Sequence, residues 1–253
     1  NIRAIGAASG EKVYASSTNA SHGNGQVLRK TQPVVTKQSL SSTTLANIDM
    51  DLMKFQVAAD TAGSVAWKQV VFQYSKSADP TLANFRLRRG ASDMELTSYN
   101  VTSDIGVDLK AGTLAAASTT GYVVVSMAEG QEEVVLGSGN VYTLHATVAG
   151  AEAGDSVTLS FYRNASSAIV TGYLVRSLAV SPLTTASANI YHIDLGTAPS
   201  AGAGAAGASV GTFVWSDNSE TGTAAHSSAA QTSRDWTNDV YVQDLSQTQT
   251  VSR

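Results

Sequence analysis

The sequence predicts an all-β fold, an antiparallel β-sandwich of jelly-roll or immunoglobulin-like Greek-key type, with an extended strap at its N-terminal end. Three observations carry this expectation. Apolar residues recur at every second position through the central part of the chain, as in strands with one face in a core. The runs are short and are separated by turns rich in Gly, Asn and Asp. No segment sustains a capped helical stripe, which argues against a parallel α/β fold.

The first strong strand is DLMKFQVAAD, where Met53, Phe55, Val57 and Ala59 fall on one face and Lys54 and Gln56 on the other. DTAG, Asp60 to Gly63, has the residues of a tight hairpin and predicts that the next run pairs with this one. That run, SVAWKQVVFQYS, sets Val65, Trp67, Gln69 and Val71 against Ala66, Lys68, Val70, Phe72 and Tyr74. Both faces are partly apolar, so the strand belongs deep in a sheet with Trp67 in the core. Further strands follow at Asn84 to Arg88, Gly121 to Met127, Asn140 to Val148 and Asp155 to Arg163. Turns are expected at Ala78 to Pro80, Gly137 to Gly139 and Gly150 to Gly154.

The ends differ. Residues 1–35 are polar and loosely patterned, with candidate strands at Glu11 to Ser16 and Gln26 to Thr31 and a break at Pro33. They are read as an extended segment, and residues 36–253 as the sandwich domain. A Gly/Ala-rich stretch near 199–211 is read as a flexible loop or a close backbone approach.

Composition bounds the function. The 253 residues are 43% hydrophobic, enough for a core, and contain no Cys, which rules out disulfides, thiolate metal sites and a cysteine nucleophile. A net charge of -4 with 14% charged residues offers no basic footprint for nucleic acid. No apolar run is long enough to span a membrane as a helix. Polar residues are mostly Ser, Thr, Asn and Gln, and the chain opens on Asn1 rather than Met, so export with removal of a leader is expected. Sequons at Asn19, Asn100 and Asn164 are glycosylation candidates, with polar loops as the alternative.

Catalytic patterns are missing. His22, His145, His192 and His226 show no metal-ligand spacing, there is no G-x-S-x-G elbow, and Glu132 and Glu133 are adjacent, which in a strand sends them to opposite faces. The chain is therefore expected not to be an enzyme and to need no cofactor, with calcium as the one candidate ion. Its ligands would be Asp217, Asn218, Glu220, Asp235, Asn238 and Asp239, although their spacing fits no EF-hand; Asx turns capping strand ends are the alternative. Trp215 and Trp236 are the candidates for stacking on a sugar.

VLRKTQP (Val27 to Pro33), the run from Thr44 to Ser75, LANFRLRRG (Leu82 to Gly90), FVWSDNSE (Phe213 to Glu220) and DWTNDVYVQDL (Asp235 to Leu245) together resemble exported β-sandwich surface proteins of prokaryotes, of S-layer-like or pilus-forming type. The resemblance implies an extracellular structural subunit at the cell surface that partners copies of itself. In a sharper version, a terminal strand of one subunit completes the sheet of the next, with Ile2, Ile5, Val13, Tyr14, Val27 and Leu28 as the intersubunit residues. The alternative is an adhesin or carbohydrate-binding domain that recognises surface glycans.

Overall fold

A computed structural model of the chain describes residues 29–60, 62–103, 106–128, 130–163, 190–191, 211–219, 236–238 and 247–253, the single positions Val242 and Leu245, and the backbone of a few outlying strands. The described residues form an all-β, antiparallel structure in which two large sheets face each other as a sandwich.

The first sheet is organised on β5 (Val65–Lys76). One edge of β5 carries β10 (Thr120–Met127) and then β11 (Glu133–Val135), with β8 (Tyr99–Ser103) beyond β10. Its other edge carries β13 (Ser156–Phe161) and then β17 (Phe213–Ser216), with β19 (Thr248–Ser252) beyond β13 and β18 (Thr237–Asn238) beyond β17. The second sheet runs β3 (Pro33–Lys37), β4 (Asp49–Ala59), β12 (Asn140–Ala149), β6 (Thr81–Arg89), with β7 (Ser92–Asp93) and β9 (Thr113–Leu114) sharing the outer edge of β6. Apart from these, β1 (Arg3–Ile5) pairs with β2 (Lys12–Tyr14), and β14 (Tyr173–Arg176), β15 (Tyr191–Asp194) and β16 (Ala208–Val210) form a three-stranded sheet.

Alternation places the core. Phe55 of β4 and Tyr142 of β12 meet Trp67 and Phe72 of β5, Phe161 of β13 and Phe213 of β17. Ring centroids lie 5.0 Å apart for Trp67 and Tyr142, 5.5 Å for Phe55 and Tyr142, and 5.6 Å for Phe55 with both Phe72 and Phe161. Phe55 and Tyr142 are cross-strand neighbours within the second sheet, and the other contacts cross between the sheets, so the aromatic cluster fastens the sandwich as well as filling it.

Two expectations are corrected. DTAG makes no hairpin: β4 and β5 lie in opposite sheets, and Asp60 instead accepts the Ala62 N–H in a local turn as the chain crosses over. Both strands have apolar inner faces that need opposite walls of the core, and this outweighs the turn chemistry. The faces of β5 also change partway. Its register against β17 shifts between Val214 and Trp215, Trp67 lying opposite Trp215 and Gln69 opposite Val214, which leaves Lys68 as an extra residue. Val65 and Trp67 thereby join Val70, Phe72 and Tyr74 on the core side instead of opposing them.

As expected for β5, the first sheet is buried on both faces. Ile190 packs on Val71 and Val124, while Tyr191 and Trp236 pack on Ala66 and Val214. The chain leaves and regains the sheet at one rung: Tyr162 N–H donates to Val71 O and Val71 N–H to Thr212 O, both at 2.9 Å. The Gly/Ala-rich stretch belongs to this excursion; its last residues enter β16, and the rest lies outside the described residues. At the other end of the chain β3 runs across the boundary expected near residue 35, so the sandwich already begins at Pro33.

Gly139 illustrates a backbone requirement, with φ +66° and an absent Cβ that would stand 1.8 Å from Val57 O. Gly139→Ala is expected to lower unfolding free energy by at least about 2 kcal/mol, from left-handed strain plus the overlap, as read by urea denaturation.

Candidate functional site

The polar and aromatic residues of the C-terminal part converge at the end of β17, where they hold backbone. Asp217 is buried and uses both carboxylate oxygens: Lys30 N–H donates to Oδ2 at 2.6 Å, and Ser219 Oγ at 2.7 Å and Arg29 Nη1 at 3.4 Å donate to Oδ1. The Arg29 guanidinium also lies 5.7 Å from the centre of the Trp215 ring. Asn218 takes a left-handed conformation, φ 51°, and donates to Ser64 Oγ at 3.1 Å. Asn238 Oδ1 accepts from Thr212 N, Thr212 Oγ1 and Phe213 N, closing the start of β17.

Gln69 works in the same way one strand over. Its amide donates to Tyr191 O at 2.9 Å and to Gly211 O, and its Oε1 accepts the Tyr191 N–H at 2.8 Å. It thus forms the rung that a neighbouring strand would supply, and fixes the returning excursion to the sheet. Beside it the fully buried Lys68 ammonium lies 4.6 Å from the Trp236 ring and 5.6 Å from that of Tyr191.

Of the calcium candidates, Asp217, Asn218 and Asn238 are placed as above; Glu220, Asp235 and Asp239 lie outside the described residues. No group of three or more His, Asp or Glu arranged for a metal occurs among the described residues. Trp215 and Trp236 are fully buried, so neither presents a ring face to a sugar, and Trp67 is core as expected. Asn100 sits in β8, half-buried, with Thr102 of the same sequon buried in the strand rather than in a loop. Asn19, Asn164, Ile2, Val27, Leu28, His22 and His226 lie outside the described residues. Ile5, Val13 and Tyr14 fall in the β1–β2 hairpin, where Ile5 opposes Lys12, Ala4 opposes Val13 and Arg3 opposes Tyr14. His192 falls in β15 opposite Val175 and Val210.

A second polar cluster covers the outer face of the second sheet. His145 Nδ1 lies 3.2 Å from Asp51 Oδ1, Arg88 Nη1 donates to the same oxygen at 3.4 Å, and Arg88 Nε donates to Asp93 Oδ1 at 2.6 Å. The concavity beside them measures about 420 Å³ and is lined by Asp49, Arg86, His145 and Thr147 among others. The nearby Thr147 hydroxyl donates to Asp49. At the rim between the sheets, Glu133 accepts from Arg89 Nη1 at 3.1 Å with both oxygens and from the Tyr142 hydroxyl at 2.8 Å. Burial, and then the Glu133 carboxylate, raise the Tyr142 hydroxyl well above its ordinary pKa.

The Arg29 and Lys30 anchor was not read from the sequence, since a basic pair beside a proline carries no partner information; nor was the Asp51–His145 pair, which an inter-strand register brings together. No protein-family model matches the chain, and a search of curated proteins finds no significant match. Among the described residues no helix is long and apolar enough to cross a membrane.

Asp217→Asn is expected to cost roughly 2 kcal/mol and to speed limited proteolysis at Arg29 and Lys30, because it removes the buried carboxylate charge facing the Arg29 guanidinium and weakens the bond from Lys30 N–H. Addition of a chelator to the unsubstituted protein is expected to leave the melting temperature unchanged, the oxygens of Asp217 being already occupied. The bond from Arg88 holds the Asp93 carboxyl below its ordinary pKa. That lowered value means the pair stabilises the fold fully above the ordinary carboxylate range and loses its effect as pH falls through the lowered value. Carboxyl NMR titration of the Arg88→Ala variant should move the Asp93 midpoint upward.

Proposed function

We propose that this chain is a non-enzymatic, exported β-sandwich subunit that joins copies of itself into an extracellular filament or surface layer, with residues 1–28 as the intersubunit element. The observation that carries the reading is the anchor at Asp217. Lys30 N–H and the Arg29 guanidinium are fixed in a buried site at the end of β17, so the preceding segment starts from a defined point on the sandwich. Beyond that point the described strands β1 and β2 pair with each other and with neither large sheet. A segment held at its base, whose described strands pair outside both large sheets, is suited to engage a neighbour.

The element is shorter than residues 1–35, because Pro33–Lys37 is committed to β4 of the same chain. The β-sandwich itself is compatible with a structural role, and the Ser- and Thr-rich, weakly charged composition supports export. The burial of Trp215 and Trp236 removes the residues on which an adhesin reading depended.

Removal of residues 1–28 tests the proposal. The full chain should form high-mass assemblies visible by negative-stain electron microscopy, and the truncated chain should remain monomeric by light scattering with its melting transition retained. High-mass assembly of the truncated chain would sink the reading.

A further inference from the structure

We infer that the outer edge of β11 is an acceptor slot for the β1–β2 segment of a second copy; this rests on the reading above and specifies the surface that the segment engages. Two other margins of the sandwich are occupied among the described residues. Beside β8, residues 107–109 close the seam, Leu109 N–H donating to Val101 O at 2.8 Å and Phe85 N–H to Leu109 O at 3.0 Å. Across the molecule, Lys37 Nζ donates to Thr248 O at 3.1 Å, and Leu45 N–H and Ser252 N–H exchange bonds with Ser252 O and Thr43 O at 2.9 Å.

At β11 this closure stops. Both β10 and β11 pair with β5, but β8 covers only β10, beginning at Tyr99 opposite Met127. Among the described residues nothing continues β8 alongside β11, whose second edge is unpaired. Three observations converge on that gap. Val134 and Leu136 are 53% and 69% exposed, an apolar step continuing outward from the buried row at Ala66, opposite which Val134 lies. One oxygen of Glu132, immediately before β11, is buried and has no hydrogen-bond partner. A cavity of about 290 Å³ opens at the same rim, lined by residues including Arg89, Asp93, Met94, Glu95, Gln131 and Glu133. Together they offer unpaired main chain, apolar contact, an acceptor lacking its donor, and room: the requirements of an added strand.

The occupant follows from reach and charge. Trp215, beside which Arg29 is held, and Glu133 of β11 both lie opposite Trp67, on its two sides. β17 and β11 are thus two strand spacings apart, about 10 Å, and the slot lies one spacing further out. Twenty-eight residues can extend roughly 90 Å, enough to pass beyond their own sandwich to the next. Residues 1–28 carry two basic side chains, Arg3 and Lys12, and one acidic, Glu11, whereas the remainder carries fourteen and nineteen. The rim carries Asp93, Glu95 and Glu133, with Glu132 next to Glu133 in sequence; Arg88 matches Asp93 and Arg89 matches Glu133, which leaves the charges of Glu95 and Glu132 for an incoming strand. Arg3 and Lys12, in strands that already have β geometry, supply the complementary charge.

The absence of Cys permits a direct test. One full-length protein carries Ala4→Cys or, separately, Ile5→Cys, so that both faces of β1 are sampled; the other carries Val134→Cys. A control acceptor carries Thr250→Cys, exposed on β19. On mixing and mild oxidation, disulfide-linked mixed dimers should form with Val134→Cys several-fold faster than with Thr250→Cys. Equal rates, or no mixed dimer while N-terminally dependent assembly persists, would overturn the slot and leave the wider proposal standing. A disulfide within one chain of the doubly substituted protein at high dilution would show docking in cis and would also overturn it. Assembly that survives deletion of residues 1–28 instead defeats the underlying reading.

Discussion

The extra residue at Lys68 is the constraint on which the rest of the structure depends. β5 serves strands on both edges and packs on both faces, and a strand with unbroken alternation would turn either Trp67 or Phe72 away from the opposite sheet. The shift brings both to Phe55 and Tyr142. Each large side chain so buried contributes about 1.5–3 kcal/mol from area alone. The cost is a lysine in the interior on the other side of the sheet, offset there by the faces of Trp236 and Tyr191. Register shifts also occur where β12 meets β4 and β6, and Asn84 takes its left-handed conformation at the β6 irregularity.

From that irregularity comes the polar character of the C-terminal part. Where ladders are interrupted, main-chain donors and acceptors need other partners, and buried amides and carboxylates supply them. Gln69 stands in for a strand at Tyr191, Asn238 closes the start of β17, and Asp217 takes the N–H of Lys30. Such residues look like a binding site in a sequence because the chemistry is the same: oxygen acceptors gathered near aromatic rings. Their occupants here are parts of the same chain.

The alternation of β4, β12 and β13 was legible because each of these strands has one face in a continuous apolar core, and the all-β antiparallel class followed from it. Pairing was less legible. Asp60 to Gly63 has hairpin residues, yet which sheet a strand joins depends on the summed apolar faces rather than on four residues of turn. The parity change at Lys68 carries no signal either, since Ala66, Val70 and Val71 allow both faces to be apolar. Of the candidate site, the concentration of side chains at Trp215 and Asp217 was evident, but Arg29 and Lys30 lie 188 and 187 residues away in sequence. Such a contact is a product of topology.

The distribution of charge bears on how copies of this fold can meet. The outer face of the second sheet presents opposite charges already matched to each other, with Arg88 between Asp51 and Asp93, and stacking two such faces would strip water from groups that gain no better partners. The outer face of the first sheet is covered around Ala66, Val71, Val124 and Val214 by the chain's own Ile190, Tyr191 and Trp236. Face-to-face association is thus disfavoured over these parts of both sheets, which turns attention to the margins. On the proposed reading, a margin contact between the N-terminal segment of one copy and the β11 edge of another would use two different surfaces, so each added copy would present again what the last one used. A contact of that kind extends without closing unless rotation between copies returns the chain to its start.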